Sequence, residues 1–157
     1  MTDPESPRRS AATERTMAIA MLILLSAQYL TGLYMNLYVQ LPRGHGDSHP
    51  VSMGIFMAGG GLLMLHVALG VATLAGALVV TMVSSTIGKR ALFWSSAGTG
   101  TLVLAAASGM GFLMSNQSNV ASLLMAIGWL LAAAAYTGQL VDSTSGRHRT
   151  PSSDQGW

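Results

Sequence analysis

Four apolar stretches, Met17 to Gln40, Val51 to Val83, Ala91 to Met114 and Val120 to Val141, are separated by short polar connections. Each reaches the ~20 residues that a helix rising ~1.5 Å per residue needs to cross a hydrocarbon core about 30 Å thick. None shows the alternation of a spanning strand, so helices are the element that satisfies their backbone in lipid. The pattern predicts an all-α chain: a four-transmembrane-helix, up-down-up-down antiparallel bundle with helices over 17–40, 51–83, 91–114 and 120–141. Ser84 to Arg90 and Ser115 to Asn119 are too short to join anything but antiparallel neighbours. The first connection, Leu41 to Pro50, is longer and rich in Gly, His and Pro. Residues 1–16 and 142–157, rich in Ser, Thr, Pro and Arg, read as disordered tails around a transmembrane domain spanning 17–141.

The second stretch would be about 50 Å long if helical throughout, well over the thickness of the core. It must tilt, project or bend, and Gly54 and the run Gly59-Gly60-Gly61 are where a bend is easiest. The first stretch continues past Leu25-Ser26-Ala27, the one weak cleavage-like sequence, and therefore reads as an uncleaved signal anchor.

Charge sharpens this picture. Of the 157 residues, 50% are hydrophobic and 9% are Asp, Glu, Lys or Arg, against the ~25% charged residues of soluble domains. The charged residues flank the apolar stretches and leave them uninterrupted. Arg8, Arg9, Arg15, Lys89, Arg90, Arg147 and Arg149 fall on one side of the expected bundle and Arg43 alone on the other. By the positive-inside rule both termini are cytoplasmic, in a multi-pass protein of a cell membrane. The same distribution argues against nucleic acid as a partner, because the basic residues form no continuous face. The lipid bilayer is the implied partner. Small-residue pairs at helical spacing, Ala105 with Gly109, Gly128 with Ala132 and Ala134 with Gly138, would serve close packing within the bundle, or a homo-oligomer or membrane-complex contact. With no cysteine, thiolate chemistry and disulfides are excluded. No polar segment is long enough for a separate soluble core.

His66 is the one ionisable residue inside an apolar stretch, a position that marks a functional site or a buried polar partner. Gly59, Gly70 and Thr73 share its helical face and leave space beside the imidazole. Such a clearing fits a flat ligand such as haem b, or a neighbouring helix. As a haem ligand, His66 would need Met35, Met110, Met114 or a second subunit to complete the iron. As a structural residue it would bond Gln28, Thr31 or Asn36 of the first helix. A third reading places copper at His45 and His49, with Asp47 between them and Met53 and Met57 close by as soft ligands. No phosphate loop, nucleophile elbow, zinc-protease helix or intramembrane carboxylate pair is present, which weighs against an enzyme or an active transporter.

Gln28-Tyr29-Leu30-Thr31-Gly32 leading to Asn36-Leu37-Tyr38, then His66, then Ser122-Leu123-Leu124-Met125-Ala126, resembles uncharacterised small four-helix membrane proteins of actinobacteria. A looser likeness, through a histidine in the second helix, is to one half of haem A synthase and to small b-type membrane cytochromes. That likeness implies haem ligation by His66. The chain departs from it in the fourth helix, where those half-domains carry a second histidine and 120–141 has none. The expectation is an integral membrane protein acting as a non-enzymatic accessory or ligand-binding bundle. Haem-based electron transfer through His66 is the alternative, and copper handling at the outer His and Met residues a further one.

Overall fold

The computed structural model describes residues 6–38, 51–114 and 119–145. They form four helices and no strand: α1 (Ser6–Tyr38), α2 (Val51–Ile87), α3 (Lys89–Met114) and α4 (Asn119–Ser145). Each helix packs against its neighbours in sequence, and α1 closes the ring on α4. Contacts run in opposite chain directions across every pair. Gln28 meets His66 where Met21 meets Gly76, and Trp94 meets Gly138 where Ala105 meets Gly128. The architecture is the antiparallel four-helix bundle of the sequence pattern, and all four helices are long and apolar enough to cross a membrane.

The surface of the bundle is as apolar as its interior. A core of Met21, Leu25, Leu102 and Tyr136 is packed among small and polar residues such as Ala18, Ala77, Ala132, Thr73, Ser84, Ser95 and Gln139, while large apolar side chains such as Val71 (65% exposed) and Met82 (69%) point outward. In water that surface would be a very large apolar patch. In lipid it is the ordinary exterior, and burial of small residues supplies the close contact that hydrophobicity cannot.

The tightest contact lies between α3 and α4. The Tyr136 ring, fully buried, lies 2.8 Å from the place a side chain on Gly98 would start, and the Trp94 ring stands 2.8 Å from the same point on Gly138. Near the other end Gly128 lies against backbone, with Thr101 O 2.9 Å from its missing Cβ. The expected small-residue pairs are therefore spent within the chain at Gly128, Ala132 and Gly138. Across α2 and α3, the Thr81 and Thr99 hydroxyls bond each other at 2.8 Å, and Thr99 donates to Ala77 O at 3.2 Å.

Three boundaries differ from the sequence expectation. α1 begins at Ser6, so residues 6–16 are helical and not an unstructured tail. Pro7 is tolerated in a first turn, where its missing N–H costs nothing, and Thr13 and Thr16 return their hydroxyls to Arg9 O and Ala12 O. The expected connection Ser84 to Arg90 shrinks to Gly88 alone: Gly88 N–H still bonds Ser84 O at 3.2 Å, and Leu92 N–H bonds Gly88 O at 3.0 Å. α4 runs on to Ser145, with Asp142 held by Arg90 at 2.7 Å. α2 resolves its excess length at Gly60, whose backbone (φ 52°, ψ −148°) is open only to glycine and breaks the helix. The spanning part then starts at Gly60 and runs 28 residues to Ile87.

The α3–α4 contact yields a test. Gly128→Ala pushes a methyl onto backbone that cannot rotate away, so it should cost about 1–3 kcal/mol in reversible unfolding in detergent. Gly100→Ala, on the same helix pair but with nothing within 4 Å of the new methyl, should leave stability unchanged or slightly higher.

Candidate functional site

Gln28, Thr31 and Gly32 occupy positions i, i+3 and i+4 of α1 and so share one face. That face meets α2 at His66 and Gly70, also four apart. The two helices exchange side chains across this contact. The His66 ring lies over Gly32, its Cε1 3.0 Å from where a Cβ would be, and the Gln28 amide lies over Gly70, its Nε2 3.2 Å from the equivalent point. A larger residue at either glycine would hold the helices apart.

Both imidazole nitrogens are engaged. Thr31 Oγ1 stands 3.1 Å from Nδ1 and Gln28 Nε2 stands 3.2 Å from Nε2. The Thr31 hydroxyl has one proton and lies 3.0 Å from both Ala27 O and Gln28 O of its own helix. It therefore donates there and accepts from His66 Nδ1–H. The Nε2 lone pair then accepts from the Gln28 amide N–H. With the Gln28 amide in this orientation the neutral Nδ1–H tautomer satisfies both contacts, and Gln28 Oε1 is a buried acceptor without a hydrogen bond among the described residues.

The residues singled out in the sequence divide accordingly. Gln28 and Thr31 are the partners of His66. Asn36 is not: it lies exposed near the end of α1. Gly70 faces the Gln28 amide, so the space beside the imidazole on that side is filled by α1. Thr73 is buried and donates to Leu69 O at 2.7 Å, within its own helix. Gly59 precedes the break at Gly60, and its surroundings lie outside the described residues. His45 and His49 also lie outside them, as do the side chains of Met53 and Met57 in the first turns of α2. Among the described residues no three His, Asp or Glu side chains gather as a metal would require.

Two features escaped the sequence reading. One is Gly32 as the seat of the ring; its position four residues after Gln28 and one after Thr31, the two expected partners of His66, was the available signal. The other is the pair of partners of Trp129: the sequence, which places this indole away from the interfacial aromatics, implies packing within the bundle, and the ring donates from Nε1 to Leu25 O at 3.0 Å and stacks on Tyr29 at 4.7 Å between ring centres, locking α4 to α1. No protein-family model, no curated protein and no solved structure matches the chain. The chemistry of the site thus rests on its own geometry.

Gly32→Ala places a methyl against a ring held at both nitrogens. It should displace His66, loosen both bonds and lower stability by about 1–2 kcal/mol. Gly32→Ala combined with His66→Ala relieves the clash, so unfolding of the double variant should show clear non-additivity relative to the two single changes.

Proposed function

We propose that this chain is a multi-pass protein of a cell membrane, with both termini cytoplasmic, that acts as a non-enzymatic accessory bundle in which His66 joins α1 to α2. The observation that carries this reading is the engagement of both imidazole nitrogens by Gln28 and Thr31 at 3.2 and 3.1 Å. A histidine so placed has neither a free lone pair for a metal nor a proton to give to a substrate. The apolar exterior of four helices long enough to span supports the membrane assignment, and the lysine and arginine distribution supports the orientation.

The haem reading uses the same residue differently. Iron at Nε2 would have to displace the Gln28 amide from the face of Gly70 and draw a second ligand from elsewhere. The helix exchange at Gly32 and Gly70 favours the structural reading, because it uses the space that a porphyrin would need. The copper reading rests on His45, His49, Met53 and Met57, and nothing in the described geometry favours it.

His66→Gln keeps a hydrogen-bonding group but removes an axial ligand, while His66→Leu abandons the Gln28 amide in an apolar contact. Interhelical hydrogen bonds in membranes average only about 0.6 kcal/mol. Thermal unfolding in detergent should therefore be nearly unchanged for His66→Gln and lower for His66→Leu. Adding Gln28→Leu to His66→Leu removes the stranded amide and should restore part of the loss. A Soret band in the purified protein, lost equally in both single variants, would reject the structural reading. The orientation is tested separately: a reporter after Trp157 should lie in the cytoplasm, and one at Asp47 outside. Reporters on the same side would overturn the topology.

A further inference from the structure

At the end of the bundle that carries both termini, α1, the α2–α3 turn and α4 enclose an open cleft of about 380 Å³. It shares no residue with the His66 contact. Two carboxylates, Glu14 and Asp142, and two cations, Lys89 and Arg90, line it, together with Trp94 and Gln139. The four charges cancel, but they are not merely two ion pairs. Asp142 Oδ2 accepts from both Arg90 Nε at 2.7 Å and Trp94 Nε1 at 3.1 Å, which fixes the carboxylate and the indole as one wall. The Arg90 side chain remains 80% exposed, so its terminal N–H groups are free to bind an anion.

Two features are unexplained by the fold alone. Lys89 and Arg90 occupy the first turn of α3, which carries no acidic residue. Free N–H groups and the helix dipole already make that end positive, and Asp142 answers only Arg90, so Lys89 and the start of the helix still favour an anion. Gln139 lines the cleft at 1% exposure, and its Oε1 has no hydrogen bond among the described residues. Its amide nitrogen holds Ser84 Oγ only at a long 3.5 Å. A donor that enters the cleft at Gln139 would satisfy this acceptor, with only the long bond to Ser84 to be given up if the amide has to turn.

We infer that this cleft binds the headgroup of a zwitterionic aminophospholipid, phosphatidylethanolamine being the type, with its phosphate on Lys89, Arg90 and the start of α3, and its ammonium on Glu14 and Gln139. A bilayer lipid is the occupant because the cleft lies where the apolar helices end, and Phe93 and Val141, next in sequence to the cleft residues Trp94 and Asp142, are exposed and would offer acyl chains an apolar surface. A primary ammonium carries three N–H donors and a positive charge for the carboxylate and amide, whereas a choline carries no N–H donor, and the terminal glycerol of phosphatidylglycerol offers only neutral hydroxyls that leave the charge of Glu14 unanswered. Charge-assisted bonds of this kind are the strong ones.

The inference rests on the chain residing in a membrane, which is checked first by whether the native chain needs detergent for extraction. The full-length protein, purified in detergent and stripped of lipid, is then titrated with dioleoyl phosphatidylethanolamine, phosphatidylcholine and phosphatidylglycerol, and bound lipid is counted by native mass spectrometry. The ethanolamine lipid should bind one per chain and at least about tenfold tighter than the other two, the worth of one lost charge-assisted bond. Glu14→Gln should abolish that preference while leaving the lipid-free melting temperature unchanged, and Lys89→Gln should weaken all three lipids. Free phosphoethanolamine should compete only weakly, since it lacks the chains. Equal binding of the three lipids, preference for phosphatidylglycerol, full competition by free phosphoethanolamine, or an unaltered preference in Glu14→Gln would each overturn the proposal. Extraction without detergent would overturn the membrane reading instead.

Discussion

The rings of Tyr136 and Trp94 occupy the places where Gly98 and Gly138 have no side chain, and the spacing of the whole bundle follows from that. In water, leucines driven inward would set the distance between α3 and α4. Lipid offers no such drive, since a buried leucine and a lipid-facing one meet nearly the same surroundings. What remains is dispersion at close range, which grows only if backbones approach. Glycine and alanine allow the approach, and two rigid aromatic rings fill what would otherwise be gaps. α1 and α2 are then brought to the same closeness by the exchange of His66 and Gln28 over Gly32 and Gly70.

Polar side chains inside this bundle act as pins. Thr81 with Thr99, Trp129 with Leu25 O, and His66 with Gln28 and Thr31 each tie a different pair of helices. Each pin is weak by itself, because helices separated in lipid find other partners for their polar groups. Their value lies in register: sliding α2 by one turn along α1 would leave Gln28, His66 and two glycine seats mismatched at once. A histidine serves this purpose well, since its two nitrogens face opposite ways and can accept from one side chain while donating to the other.

The four spans were legible because a run of apolar residues reports the thickness of the bilayer directly, and antiparallel order followed from short connections. Glycine at the break in α2 was also legible, as excess length required a bend and the triplet offered the site. Helix ends were less so. Ser6 to Thr16 is polar enough to read as a tail, yet its alanines, Glu14 and back-bonded threonines are compatible with helix, and composition could not choose. Gln28 and Thr31 could be named as partners of His66 from polarity, but Asn36 could not be separated from them, because that depends on where α2 crosses α1. The pairing of Gly98 with Tyr136 depends on the register between α3 and α4, which no local pattern encodes.

Three buried polar atoms lack a hydrogen bond among the described residues: Gln28 Oε1, Tyr136 Oη and Gln139 Oε1. In an interior without water each is expensive, and each therefore asks for a cause. For Gln28 the cause is its other end, since the amide nitrogen is committed to the histidine lone pair and a planar group cannot turn one atom without the other. For Tyr136 it is ring packing: the ring is seated against Gly98, and the hydroxyl goes where the ring carries it. Gln139 differs, because its amide is held only by a long 3.5 Å bond to Ser84. It alone of the three borders a cleft lined with charges. An unsatisfied acceptor enclosed by apolar packing is a cost of construction, whereas one at the edge of a charged opening is a place for a donor from outside the chain.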